Sequence, residues 1–263
     1  MEFRLIALDM DGTLLDAAGR VPDSFWEILA EARSRGIAVA PASGRQLATL
    51  RSMFTGDRDP GTFIAENGTC VFHGGKVVST TLLGESTVRS VIAAADAAGL
   101  DLVVCTPDVA YHLPTVSDAT MTELQKYYVS REQVRDLGEV AGTDVIKLAV
   151  YTSGNAEELA YPPLREAAPE ANVVVSGANW VDIMAATAGK GRAMAALAEV
   201  MGVEKHEILA FGDYLNDYEL LQAAGTAYAM ENAHPDIKAI AHRIAPPNTE
   251  AGVVTVLRDL LGM

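Results

Sequence analysis

Cysteine is nearly absent from this chain. Cys70 and Cys105 are the only two in 263 residues. They make neither a metal-type cluster nor a disulfide framework, and two ordinary thiols fit a reducing cytosol. Positive charge is scarce as well. Lys and Arg total 20 against 35 for Asp and Glu, a formal charge of −15, so nucleic acid and anionic lipid are poor candidate partners. No stretch approaches the roughly 18 uninterrupted apolar residues of a membrane helix. The opening "MEFRLIALDMDG" has an acid early and too short an apolar run for a signal peptide. His73, His112, His206, His234 and His242 are scattered without metal spacing, and there is no repeat of fixed period. What is present is 49% hydrophobic, enough for one large domain or two smaller ones. That composition leaves a monomer and a small homo-oligomer equally open.

The hydrophobic pattern alternates between strand and helix. "FRLIAL" (3–8), "IAVAPASG" (37–44) and "TFIAENG" (62–68) are expected strands, and 22–36 and 45–54 expected helices. That rhythm predicts an α/β fold, a doubly wound parallel sheet. It returns late, with a helix over 191–202, a strand over 207–213, a helix over 218–225, a strand over 226–230 and closing helices over 235–241 and 251–262. Between the halves the pattern changes. A hairpin is expected over 70–80 around Gly74-Gly75, followed by helices and strands in α+β order. The expected domains are therefore a core of residues 1–82 and 186–263, with an α+β cap inserted over 83–185.

In an open parallel sheet ligands bind at the carboxyl ends of strands. Here the strand ends carry Asp9 and Asp11, Ser43, Glu66-Asn67 and Gly212-Asp213. A pair of carboxylates meeting a third, distant one suggests Mg²⁺, which takes few carboxylates and keeps positions for water or phosphate. Such a metal lets two anions approach and makes Asp9 usable as a nucleophile. Asp11, just beyond the strand, is placed to give a proton to a leaving oxygen and take one from water. Ser43-Gly44 and Lys190 are each open to a plainer reading, as a helix cap and as a solvated lysine.

The motifs carry a family resemblance. "DMDGT" (9–13), "ASGR" (42–45), "GKG" around Lys190 and "GDYLND" (212–217) occur in order. They resemble the four motifs of the haloacid dehalogenase superfamily. "ENG" (66–68) and "AMENA" (229–233) resemble its Cof-type branch, whose large cap lies between the second and third motifs, and the layout is similar to bacterial sugar phosphatases. One departure is Glu231, where that branch usually has Gly. The resemblance implies a Rossmann-like core and a Mg²⁺-dependent phosphatase for small phosphate monoesters, sugar phosphates above all. It implies that Asp9 becomes an aspartyl phosphate and that Asp11 is acid, then base, with its carbonyl on the metal. Ser43, Gly44, Arg45, Lys190 and Asn216 would contact phosphate or substrate. Asp213 would ligate metal, and Asp217 would support the metal or Lys190 from behind. In the cap, "SGANWVD" (176–182) offers Asn179 and Asp182 as candidate hydroxyl contacts.

Two other functions fit parts of the pattern. A phosphosugar mutase would use the same aspartyl phosphate but pass the phosphoryl group to a second acceptor. A receiver-like phospho-acceptor module would use an Asp, a metal and a Lys, but would need neither Asp11 nor an insert.

Overall fold

A computed structural model describes residues 3–263. The first part of the chain forms β1 (Leu5–Asp9), α1 (Phe25–Ser34), β2 (Ala38–Ala42), α2 (Leu47–Ser52), β3 (Thr62–Ala65), β4 (Cys70–His73) and β5 (Lys76–Thr80). The middle forms α3 (Glu85–Ala97), β6 (Asp101–Cys105), β7 (Ala110–His112), α4 (Asp118–Tyr127), β8 (Arg131–Gln133), β9 (Lys147–Tyr151), α5 (Ala156–Leu159), α6 (Tyr161–Ala167), β10 (Ala171–Gly177) and β11 (Trp180–Ala185). The return forms α7 (Lys190–Met201), β12 (Ile208–Gly212), α8 (Tyr218–Ala223), β13 (Thr226–Met230), α9 (Pro235–Ile240), β14 (Arg243–Ala245) and α10 (Gly252–Leu261). Two units result. One contains the residues up to Gly44, Leu50–Ser79 and Gly189–Met263; the other contains Arg45–Thr49 and Thr80–Ala188.

The first unit holds an eight-stranded sheet in the order β14-β13-β12-β1-β2-β3-β4-β5. Strands β14 through β3 run parallel and β4 turns antiparallel to β3. β1 and β12 are buried at every position. This is why they are continuous apolar runs rather than alternating ones: a parallel strand covered on both faces has no wet side. The chain winds outward from β1 through β2 to β3, then restarts beside β1 at β12 and winds the other way. The order therefore reverses at β1, the position at which open α/β sheets bind ligands, at the carboxyl ends of the strands.

The second unit has a six-stranded sheet, β10-β11-β9-β6-β7-β8, antiparallel except between β7 and β8. Leu102, Val104, Leu148, Val150, Val181 and Ile183 share a buried apolar cluster with Val88, Val91 and Leu164 of the helices. Alternation puts Lys147, Ala149 and Tyr151 of β9 on the opposite face, with Trp180 and Asp182 beside Tyr151 and Ala149. Trp180 lies 5.2 Å from Tyr151 and 6.0 Å from Tyr127 between ring centroids.

Most elements fall where the periodicity predicts them. The expected third strand stops at Ala65. No helix among the described residues is long and apolar enough to cross a membrane.

Candidate active site

Asp9 ends β1, Ser43 follows β2 and Asp213 follows β12, so three neighbouring parallel strands release polar residues at one end of the sheet. After Asp9, Met10–Leu14 make one irregular helical turn, broken at Asp11 and at Gly12. Gly12 has φ 83°, and a Cβ there would lie 2.2 Å from Asp213 Oδ2, so both conformation and space demand glycine. The turn leaves Asp9 buried and Asp11 exposed.

Lys190 opens α7 and is 2% exposed. Its Nζ donates to Asp9 Oδ1 at 2.5 Å and to Asp217 Oδ1 at 2.7 Å. Asp217 Oδ2 accepts from the backbone N–H of Asp213 at 3.0 Å and of Tyr214 at 3.3 Å. Gly212 makes room for this, since a Cβ there would lie 2.6 Å from Asp217 Cβ. Thr13 Oγ1 donates to Asp213 Oδ1 at 3.1 Å.

These groups are electrostatically tense. Burial, and then Asp217, hold the Asp9 carboxyl well above the ordinary carboxylate range, against the pull of Lys190. Burial and Asp217 push Asp213 up to about 6. Burial works against the Lys190 ammonium, but Asp217 and Asp9 outweigh it and raise its pKa. Asp9, Asp213 and Asp217 each bring one oxygen within 4.8 Å of the others. Three carboxylates around one ammonium leave uncompensated negative charge, and hard oxygen donors fit a divalent cation. Asp217 already serves Lys190 and two backbone N–H groups, so a cation held here would draw first on Asp9 and Asp213.

The Ser43 side of the site rests on an unusual turn. Ser43 N donates to Ile64 O, and Ser43 O accepts from Asn67 N, both at 2.9 Å. Glu66, Asn67 and Gly68 have φ of 51°, 54° and 91°, three left-handed residues in succession, of which two are not glycine. The Asn67 amide lies against Gly44, and a Cβ on Gly68 would lie 2.4 Å from Gly189 O. The turn is thus wedged between Ser43-Gly44 and Gly189-Lys190. Gly68→Ala is expected to cost about 1–3 kcal/mol of stability through its left-handed backbone. It should lower kcat by about tenfold or more by moving Lys190, because misplacement of roughly 1 Å is that damaging. Chemical denaturation and steady-state kinetics measure the two; wild-type kcat would show that the turn does not position the lysine.

The remaining expected residues are dispersed. Arg45 groups with the second unit, its guanidinium 5.8 Å from the Tyr127 ring centroid. Asn216 is exposed in the turn Leu215–Asp217. Asn179 uses both amide protons on Thr152 O and Gly154 O, at 2.9 and 3.0 Å, so only its side-chain oxygen is left toward a ligand. Asp182 is buried on β11. Glu231 is exposed and does not adopt a left-handed φ, so its position makes no conformational demand for glycine. Motif reasoning misses Lys147, buried on β9; a lysine inside the apolar run "KLAVY" was the available signal.

The profile of the haloacid dehalogenase-like hydrolases matches residues 6–257. The chain belongs to that family. Among haloacid dehalogenase-like hydrolases it is 30% identical, over 99% of its length and 97% of the relative's, to 5-amino-6-(5-phospho-D-ribitylamino)uracil phosphatase YbjI of Escherichia coli. It is 26% identical, over 98% of both chains, to the Bacillus subtilis enzyme YwtE, which carries the same name. A solved structure from Eubacterium rectale superposes with a TM-score of 0.88 at 27% identity, covering 98% of this chain and 99% of that one. The fold is also that of the subclass IIB sugar phosphatase BT4131, with a TM-score of 0.81 at 21% identity over 98% of both chains. Within the family this chain is a phosphoric monoester hydrolase with the α/β fold of its neighbours.

Proposed function

We propose that the chain hydrolyses small phosphate monoesters, sugar phosphates foremost, with Mg²⁺ and through an aspartyl phosphate on Asp9. The observation that carries this reading is the buried Asp9–Lys190–Asp217 bridge at the reversal point of the sheet. Lys190 holds the Asp9 carboxylate in one orientation and offsets charge when a phosphate dianion approaches. Asp9 attacks phosphorus as the bond to the ester oxygen breaks, and Asp11 gives that oxygen its proton. A water then attacks the acyl phosphate, Asp11 takes the water's proton, and inorganic phosphate leaves with Asp9 restored. Asp9, Asp213 and the Asp11 carbonyl would hold the metal. Bound there, Mg²⁺ supplies charge compensation that lets two anions meet. Ser43, Gly44 and Asn216 contact the phosphoryl oxygens.

Phosphate contacts are alike for every monoester, so discrimination belongs to the inserted segment. Lys147, Asp182 and the aromatic cluster around Trp180, on the sheet face opposite α3 and α6, are the groups to which we assign it, with Arg45 and Asn179 as further contacts.

A panel of phosphate esters, scored by released inorganic phosphate with Mg²⁺ and again after chelation, tests this reading. It should include the phosphoribitylamino uracil named for the relatives. Steady, chelator-sensitive release with sugar phosphates among the best substrates is expected. Activity after exhaustive chelation would remove the metal from the reading, and transfer to a second alcohol without phosphate release would make the chain a mutase.

A further inference from the structure

The proton-donating residue of this site sits in an irregular turn. Met10–Leu14 ends on the backbone bond from Leu15 N to Met10 O at 2.9 Å and is non-helical at both Asp11 and Gly12. The peptide after Gly12 is tied to residues from the far end of the chain. Asn232 Nδ2 donates to Gly12 O at 2.8 Å. Asn248 Nδ2 donates to Leu15 O at 2.8 Å. The backbone N–H of Asn248 donates to Asn232 Oδ1 at 3.1 Å. That last bond has a consequence for the amide: a backbone N–H can only donate, so Oδ1 of Asn232 must face it and the NH₂ must face Gly12 O. Two residues on, His234 N donates to Asp213 O at 2.8 Å. One short segment therefore ties down both the Asp11–Gly12 turn and the acid that the turn presses against.

We propose that Asn232, oriented by Asn248, is a positioning residue for Asp11: it sets where the acid–base carboxyl stands relative to the departing oxygen. This rests on the phosphatase reading of the site. Asn232 does not touch the phosphoryl centre in this scheme. It acts through the Gly12 carbonyl, one peptide from the acid, where a shift of roughly 1 Å is enough to spoil proton transfer. Its loss is felt in proportion to the need for a proton. An alkyl phosphate departs as a strongly basic alkoxide and needs one; a nitrophenyl phosphate departs as a weak base and does not.

The test compares kcat/KM for a primary alkyl phosphate and for p-nitrophenyl phosphate in the full-length wild type, Asn232→Ala, Asn232→Asp, Asp11→Asn and the double variant Asn232→Ala/Asp11→Asn. Asn232→Ala should lose about ten- to a hundredfold on the alkyl ester and about threefold or less on the aryl ester, the size of a misplaced general acid. Asn232→Asp keeps the shape and the acceptor for Asn248 but turns an oxygen toward Gly12 O, so it should show the same split with an unchanged circular dichroism spectrum. In the double variant, Asn232→Ala should add little to the alkyl loss already caused by Asp11→Asn. Equal losses on both esters, no loss, or full additivity in the double variant would overturn the proposal. If Asp11→Asn itself leaves the alkyl-to-aryl ratio unchanged, the acid–base reading of Asp11 fails, and the role of Asn232 falls with it.

Discussion

Asp9→Asn should abolish turnover, by roughly four orders of magnitude or more, while leaving the fold intact. In the proposed mechanism the Asp9 carboxylate forms the acyl phosphate, and an amide in its place keeps the volume and the hydrogen bond but not the nucleophilicity. The sign of the stability change is equally specific. Burial and Asp217 hold the folded-state pKa of Asp9 well above its ordinary value, so above the ordinary value its charge opposes folding. The neutral isostere removes that opposition. Metal-free Asp9→Asn should therefore melt no lower than metal-free wild type at pH 7 to 8, and Mg²⁺ should raise its melting temperature less. Phosphate release and differential scanning calorimetry measure both. Retention of more than a few per cent of activity would displace Asp9 as the nucleophile.

Lys190→Met should be the most destabilising single change in the site. Among the described residues Lys190 is the one ammonium bonded to both Asp9 and Asp217, and all three are buried. Removing one member of a buried ion cluster leaves uncompensated charge and typically costs about 3–5 kcal/mol. That cost must depend on pH. Asp9 and Asp213 already have raised pKa values, Asp213 at about 6, and without the ammonium they rise further. Carboxylates with folded-state pKa values above their unfolded ones bind protons on folding, so stability is highest at low pH and falls as pH rises through the folded-state values. Urea midpoints of metal-free Lys190→Met should thus approach wild type near pH 5 and fall well below it at pH 8. Adding Asp217→Asn should recover part of the loss, because the two residues share one interaction. A deficit that does not change with pH would mean that lost packing, rather than charge, governs the effect.

The parts of the molecule legible in sequence are those where chemistry and periodicity coincide. β1 and β12 are unbroken apolar runs because both faces are covered, and each runs straight into aspartate. The acids of "DMDGT" and "GDYLND" could therefore be placed at one sheet edge before any coordinates. β7, β8 and β14 were not legible: each has three residues, too few to show alternation, and each exists because a neighbouring strand offers an edge. The left-handed Glu66–Asn67 pair was hidden for another reason. Glutamate has no preference for that conformation, and tertiary contacts at Ser43, Gly44 and Gly189 hold the turn that contains it. The Asn232–Gly12 bond joins residues 220 positions apart through an amide of a kind that more often organises a local turn. Asn179 is the converse case, a polar residue singled out for ligand contact whose amide protons hold the Thr152–Gly154 turn.

The strand order has a consequence for how the protein is made. β1 lies between β2 and β12, and β12 is translated about 170 residues after β2. At about 5–20 residues per second, β1 spends roughly ten to thirty seconds of synthesis with a partner on one side only. Over that interval the nascent chain carries an unpaired strand edge that is apolar as far as Asp9, the kind of surface that pairs with other chains. The segment that emerges meanwhile, Thr80–Ala188, is continuous and has its own sheet and apolar cluster, so it can fold before the strand that completes the catalytic sheet leaves the ribosome.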